Sequence, residues 1–292
     1  MSTSTAAEAQ VNHAPKSFTI DAHNGMKIMA DAWGNPDDKP ILFAHGGGQT
    51  RHAWRGAAQV ISQRGWYAIA IDMRGHGDSA WDKDGDYQMG TFAKDIIAIS
   101  KQLKEKPVLV GASLGGLSGI LAEGGSDESV FAALILVDIT PRMDQGGVDK
   151  IVSFMTDKVE VGFGSIEEAA DAIAKYNPTR SRPKNNKGLA KNLRLHDDGR
   201  YRWHWDPKFM TGDKRPRSDN YQDRIIGATE SLKLPTLLVR GQMSDLVTEE
   251  YAQDFLKMVP HAKYTDVKDA GHMIAGDKND IFTTAVIEFL EA

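Results

Sequence analysis

The sequence predicts an α/β fold in which a mainly parallel sheet carries helices on both faces. Short apolar or β-branched runs bounded by Gly, Pro and Asp recur along the chain, and after residue 40 most are followed by a helix-length segment. Some of those runs are continuously apolar, as strands buried on both faces are. The bulk composition allows it: of 292 residues, 41% are hydrophobic and 26% charged, ordinary for a globular chain and too apolar for a disordered one. At this length one core with an inserted subdomain is the expected organisation.

The elements follow in order. Residues 1–14 are small and polar, without the basic start and apolar run of a secretory signal, and read as a disordered tail. Phe18 to Ile20 and Met26 to Trp33 flank His23-Asn24-Gly25, an antiparallel hairpin with Asn-Gly at its tip. Pro40 to Ala44 is a strand, followed by a glycine loop and a helix near 51 to 64. Trp66 to Ile71 is a strand ending at Asp72, and a helix near 87 to 104 leads into the buried strand Pro107 to Val110. Leu117 to Glu123 is helical, and Phe131 to Val137 is a strand ending at Asp138. From about 139 to 230 the alternation stops. Charged helical pieces, five prolines (Pro141, Pro178, Pro183, Pro207, Pro216) and Trp203-His-Trp205 mark this stretch as a helical cap on a core formed by 15–138 and 231–292. The core resumes with the strand Pro235 to Arg240, a helix near 248 to 258, the strand Ala262 to Val267 and a closing helix over 279 to 290.

Several function classes fall away on composition. A net charge of −5 with both signs interleaved gives no field to gather nucleic acid or an anionic bilayer. No cysteine is present, which removes disulfides, thiolate catalysis and zinc–cysteine or iron–sulfur ligation. No window reaches the ~18 to 20 apolar residues of a membrane span, so no membrane association and a cytoplasmic location are expected. The oligomeric state leaves no mark.

The chemistry concentrates at Gly111-Ala-Ser113-Leu-Gly115, a G-x-S-x-G sequence set between a predicted buried strand and a predicted helix. So sharp a turn strains the serine backbone, and small flanking residues let strand and helix close up, leaving the hydroxyl proud of the sheet edge. A serine hydroxyl needs a base. Of nine histidines, His272 in Asp269-Ala-Gly-His272-Met falls after the last strand, at the same carboxyl edge as Ser113. His13, His23, His196 and His204 lie in tail, hairpin turn and cap. The imidazole in turn needs a carboxylate on its other nitrogen. Asp245, in Gly241-Gln-Met-Ser-Asp245, and Asp138 both end strands; Asp245 is favoured on the chain order Ser, Asp, His, and Asp138 is kept as the alternative. His45-Gly46-Gly47-Gly48 supplies a loop whose backbone can approach a ligand, so the N–H groups of Gly47 and Leu114 are the expected oxyanion hole.

Together HGGG, GASLGG, GQMSD, AGHM and Asp72-Met-Arg-Gly-His76-Gly-Asp78-Ser resemble the α/β-hydrolase superfamily, in particular its capped esterase, lactonase and cofactor-free haloperoxidase-like members. The resemblance implies an eight-stranded sheet with its second strand antiparallel, the cap between strands six and seven, and a triad of Ser113, Asp245 and His272. It also implies that Asp72 and His76 tie down a loop. Relatives that displace halide or open epoxides carry aspartate where this chain has Ser113, which points to acyl transfer on a small-molecule ester or lactone, with no cofactor or metal. The alternatives are a perhydrolase or haloperoxidase-like activity, C–C bond hydrolysis and a non-enzymatic ligand receptor. Trp203, Trp205, Phe209, Phe154, Phe163 and Met155 are candidates for an apolar substrate pocket, with Arg51, His52 and Trp54 beside Gly47.

Overall fold

A computed structural model describes residues 14–176, 186–216, 221–274 and 279–292. The expected tail over 1–14, Pro178 and Pro183 lie outside these residues, except for the exposed Ala14. The chain opens with β1 (Lys16–Asp21) and β2 (Lys27–Trp33), antiparallel and joined at Asn24 and Gly25, whose φ of 57° and 70° are the left-handed angles that an Asn-Gly turn accepts. β3 (Lys39–Ala44), β4 (Trp66–Ile71), β5 (Val108–Ala112) and β6 (Ala133–Val137) follow, with α1 (Arg55–Ser62), α2 (Met89–Ser100) and α3 (Leu114–Gly124) between them. A short 3-10 turn, Arg51–Trp54, precedes α1, so the single helix expected near 51 to 64 is two pieces.

After β6 come α4 (Gln145–Thr156), α5 (Ile166–Tyr176), α6 (Lys187–Ala190), the small hairpin β7 (Leu193–Leu195) and β8 (Tyr201–Trp203), α7 (Lys208–Thr211) and α8 (Tyr221–Glu230). β9 (Thr236–Gly241), α9 (Glu249–Met258), β10 (Lys263–Val267) and α10 (Asn279–Leu290) complete the chain. The main sheet has eight strands in the order β1-β2-β4-β3-β5-β6-β9-β10, parallel except for the antiparallel pairs that β2 makes with β1 and β4.

Side-chain alternation divides the core in two. Ile41, Phe43, Val110, Ile135 and Val239 face α1 and α10, where Ile61, Phe282 and Val286 are buried with them. Leu42, Leu109, Leu134, Leu136 and Leu238 face α2, α3, α8 and α9 through Phe92, Ile120, Ile225 and Phe255. Period-2 alternation with both faces apolar is what makes the central strands read as continuous hydrophobic runs. α8 packs in this second cluster, so the chain is back on the sheet by Tyr221, earlier than the boundary at 230 expected from the sequence. The segment after β6 is also not purely helical, since β7 and β8 pair within it and Phe163, Ala169 and Leu193 form a small core of their own. No helix among the described residues is long and apolar enough to cross a membrane.

Candidate active site

β5 runs directly into Ser113, whose backbone sits at φ 45° and ψ −111° before α3 begins at Leu114. A residue with a side chain is strained in this region. Packing holds it there: a Cβ on Gly115 would lie 2.3 Å from the Ala44 carbonyl oxygen, and one on Gly111 would lie 2.6 Å from the Gly116 nitrogen. Strand and helix therefore meet with no room for larger residues, and the Gly115 N–H donates to the His45 carbonyl at 3.2 Å.

β6 ends at Asp138, a second residue with positive φ (48°), whose N–H donates to the Val239 carbonyl at 2.7 Å. Its side chain is fully buried and accepts three donors. The Gly241 N–H reaches Oδ1 at 2.8 Å, while the Ser244 hydroxyl at 2.5 Å and His272 Nδ1 at 2.7 Å share Oδ2. A carboxylate can only accept, so Nδ1 carries the imidazole proton and Nε2 keeps a lone pair. Met243 N–H donates to the Ala270 carbonyl at 2.8 Å, which lays the loop carrying His272 over the end of β9.

The loop after β3 is held from several sides. The Gly46 carbonyl, in the same peptide as the Gly47 N–H, accepts from the Gln49 N–H at 3.1 Å and from His45 Nδ1 at 2.8 Å. His45 Nε2 accepts from the Met73 N–H at 2.9 Å, which assigns its tautomer. Burial pushes His45 down to about 3, so the ring stays neutral and keeps that hydrogen-bond pattern. His204 donates from Nε2 to the Gly48 carbonyl at 3.2 Å and accepts the Gly77 N–H at 2.6 Å on Nδ1. The Arg51 N–H donates to Asp72 Oδ1 at 2.7 Å, and Asp72 Oδ2 takes the Asp78 N–H at 2.9 Å. Among the described residues the N–H groups of Gly47 and Leu114 donate to no protein acceptor.

Ser113, His272, Gly47 and Leu114 all line one cavity of about 610 Å³, within the usual range for small-molecule sites. Residues from the segment after β6 supply much of its wall: Ile151, Phe154, Met155, Trp203, Trp205 and Phe209. A Cβ on Gly47 would come within 3.2 Å of the Phe209 ring, so the loop after β3 and α7 are in close contact.

The family model described as "Alpha/beta hydrolase family" matches residues 41–284. The chain belongs to the alpha/beta hydrolase family. It is similar to "Esterase Rv0045c" of Mycobacterium tuberculosis, 29% identical over 259 residues that cover 86% of this chain and 82% of that protein. It is also similar to a 3-hydroxybutyrate-oligomer hydrolase of Cupriavidus necator, 25% identical over 85% of this chain and 88% of the relative. The crystal structure of E-2-(acetamidomethylene)succinate hydrolase shares the fold with a TM-score of 0.81 at 21% identity, covering 95% of this chain and all of that one.

Within this α/β-hydrolase, the structure gathers most of the residues expected from sequence and separates a few. Ser113, His272, Gly47 and Leu114 converge on the cavity, as do His52, Trp54, Phe154, Met155, Trp203, Trp205 and Phe209. Ser113 Oγ and His272 make no direct hydrogen bond among the described residues, and such bonds often tighten only around a substrate. Asp245 does not reach His272. Its side chain is 58% exposed and pairs with Lys150 Nζ at 2.5 Å, while Asp138 occupies the place expected for it. The reason lies in the turn after β9: Ser244 N–H donates to the Gly241 carbonyl at 2.9 Å, which aims the Ser244 side chain at Asp138 and leaves Asp245 facing outward. Arg51 is buried among Asp31, Asp72 and Asp78 and does not line the cavity, and Phe163 lies in the small core of the inserted segment.

His204 was set aside on sequence as a cap residue, yet it bridges that segment to the loop after β3. Only its place in Trp203-His-Trp205, a polar side chain between two large aromatics, hinted at burial.

Proposed function

We propose that this protein hydrolyses small carboxylic esters or lactones through an acyl-enzyme on Ser113, with His272 as general base and Asp138 as the acid that orients it. The hydrogen bond between Asp138 Oδ2 and His272 Nδ1 carries the reading, because it leaves Nε2 free to accept a proton in the cavity that Ser113 shares. The names of the relatives, an esterase and an oligomer hydrolase, support the substrate class.

In the first half-reaction the Ser113 oxygen attacks the ester carbonyl while His272 Nε2 takes its proton. The carbonyl oxygen becomes an oxyanion that accepts from the N–H groups of Gly47 and Leu114, and the start of α3 adds its positive end. The protonated imidazole, stabilised by the Asp138 carboxylate, then gives its proton to the departing alkoxide. Water repeats the sequence on the acyl-enzyme and releases the acid. The segment between β6 and α8 acts as a cap, its aromatic and methionine side chains holding the apolar part of the substrate.

The test is labelling by a fluorophosphonate together with turnover of p-nitrophenyl esters. Wild-type protein becomes labelled and turns over many equivalents, and Ser113→Ala does neither while keeping its fold. Labelling or full turnover in Ser113→Ala removes the assignment.

A further inference from the structure

The loop after β9 presents a serine, where a carboxylate was expected, to the Asp138–His272 pair. Ser244 Oγ accepts the N–H of Leu246 and the N–H of Val247, each at 3.1 Å. A hydroxyl has two acceptor positions and one proton. With both acceptor positions filled by the backbone of its own turn, that proton has one remaining direction, and Asp138 Oδ2 lies there at 2.5 Å. The Gly241 N–H holds the other carboxylate oxygen at 2.8 Å. The carboxylate plane is therefore fixed at both ends by β9 and the turn that follows it.

We propose that Ser244 is a positioning residue for catalysis, which rests on the reading of Asp138 as the orienting acid. Its hydroxyl keeps Oδ2 aimed at His272 Nδ1, so that the imidazole presents Nε2 to Ser113 in the competent tautomer. Ser244 touches no substrate; it acts through the carboxylate. Nearby charged side chains are engaged elsewhere and do not substitute for it: Lys150 pairs with Asp245 at 2.5 Å, and Arg240 pairs with Glu249 at 2.7 Å and Asp266 at 2.9 Å.

Loss of the hydroxyl has two consequences of different kind. The carboxylate gains freedom to rotate, which lowers kcat by about ten- to a hundredfold, the worth of one hydrogen bond to a charged group. Its charge is also shared among fewer donors, so it stabilises the imidazolium more strongly and the acid limb of the kcat/KM profile moves to higher pH.

The experiment compares Ser244→Ala, Ser244→Thr and Asp138→Asn with the wild type, measuring kcat, KM and the pH profile on a p-nitrophenyl ester, and Tm for each. Expected for Ser244→Ala are a reduced kcat, KM within about twofold, an acid limb displaced to higher pH, and near wild-type values restored by Ser244→Thr. Wild-type kcat and an unmoved acid limb in Ser244→Ala, with Asp138→Asn inactive, overturn the role of Ser244 alone. A fall in kcat that comes only with a large loss of Tm, no displacement of the limb and no rescue by threonine assigns Ser244 to structure and also overturns it. Wild-type turnover in Asp138→Asn removes the underlying reading instead.

Discussion

At Ser113 the backbone angles of φ 45° and ψ −111° cost a residue with a side chain about 1–3 kcal/mol and cost glycine little. In the proposed reading that strain positions the nucleophile, and glycine at this position relieves it. Ser113→Gly should be more stable than Ser113→Ala by about 1 kcal/mol in urea unfolding, after allowing for glycine's freer unfolded chain, with both inactive. Equal stability of the two variants would mean that the elbow is not strained. That Ser113 and His272 meet at one cavity was readable in the sequence, because each follows a strand within a short motif. The carboxylate bonded to His272 was not: the order Ser, Asp, His holds for Asp138 and for Asp245 alike, and only the direction of the turn after β9 separates them.

Between elements, three neutral histidines join the loops after β3 and β4 to the segment before α7. His45 follows β3, His76 lies in the turn after β4, and His204 precedes α7; ring centroids are 5.1 Å apart for His45 and His76 and 6.0 Å for His76 and His204. His76 donates from Nδ1 to the Arg74 carbonyl at 2.9 Å and packs its ring against Phe209. Burial above all pushes each of the three down to about 3, with another histidine of the group adding to it in each case. In the unfolded chain they return to about 6.5. The unfolded state then binds more protons than the folded one between those values, so the stability these groups permit is complete above about pH 6.5 and is lost as pH falls toward 3. Unfolding near pH 5 should take up roughly two to three protons per molecule from this stack. The buried carboxyls of Asp72 and Asp95, raised by burial, work in the opposite sense and reduce the total. A free energy of unfolding that stays flat from pH 7 to 5 would contradict neutral burial of the stack. At this scale the core elements were legible, β4 at both ends, because Trp66–Ile71 is bounded by Gly65 and Asp72. The β7–β8 hairpin was not, since two three-residue strands among charged residues carry no readable period.

Across the whole molecule, the parallel order of β3, β5, β6, β9 and β10 brings the loops after five strands to one edge. That single topological fact collects Gly47, Ser113, Asp138, Ser244 and His272 from positions scattered over most of the chain. The sheet, its antiparallel second strand and the excursion after its sixth strand could be inferred from alternation and motif resemblance. The point at which the chain rejoins the sheet could not, because α8 reads like the charged helices before it and only its packing against α3 assigns it to the core. The proposed mechanism requires that Asp138 after β6, rather than Asp245 after β9, orients His272. The most direct measurement is ester turnover by Asp138→Asn and Asp245→Asn under identical conditions. The geometry predicts a loss of about 10³- to 10⁴-fold in kcat for Asp138→Asn, as when a triad histidine loses its orienting carboxylate, and near wild-type turnover for Asp245→Asn. The reverse ordering would contradict it.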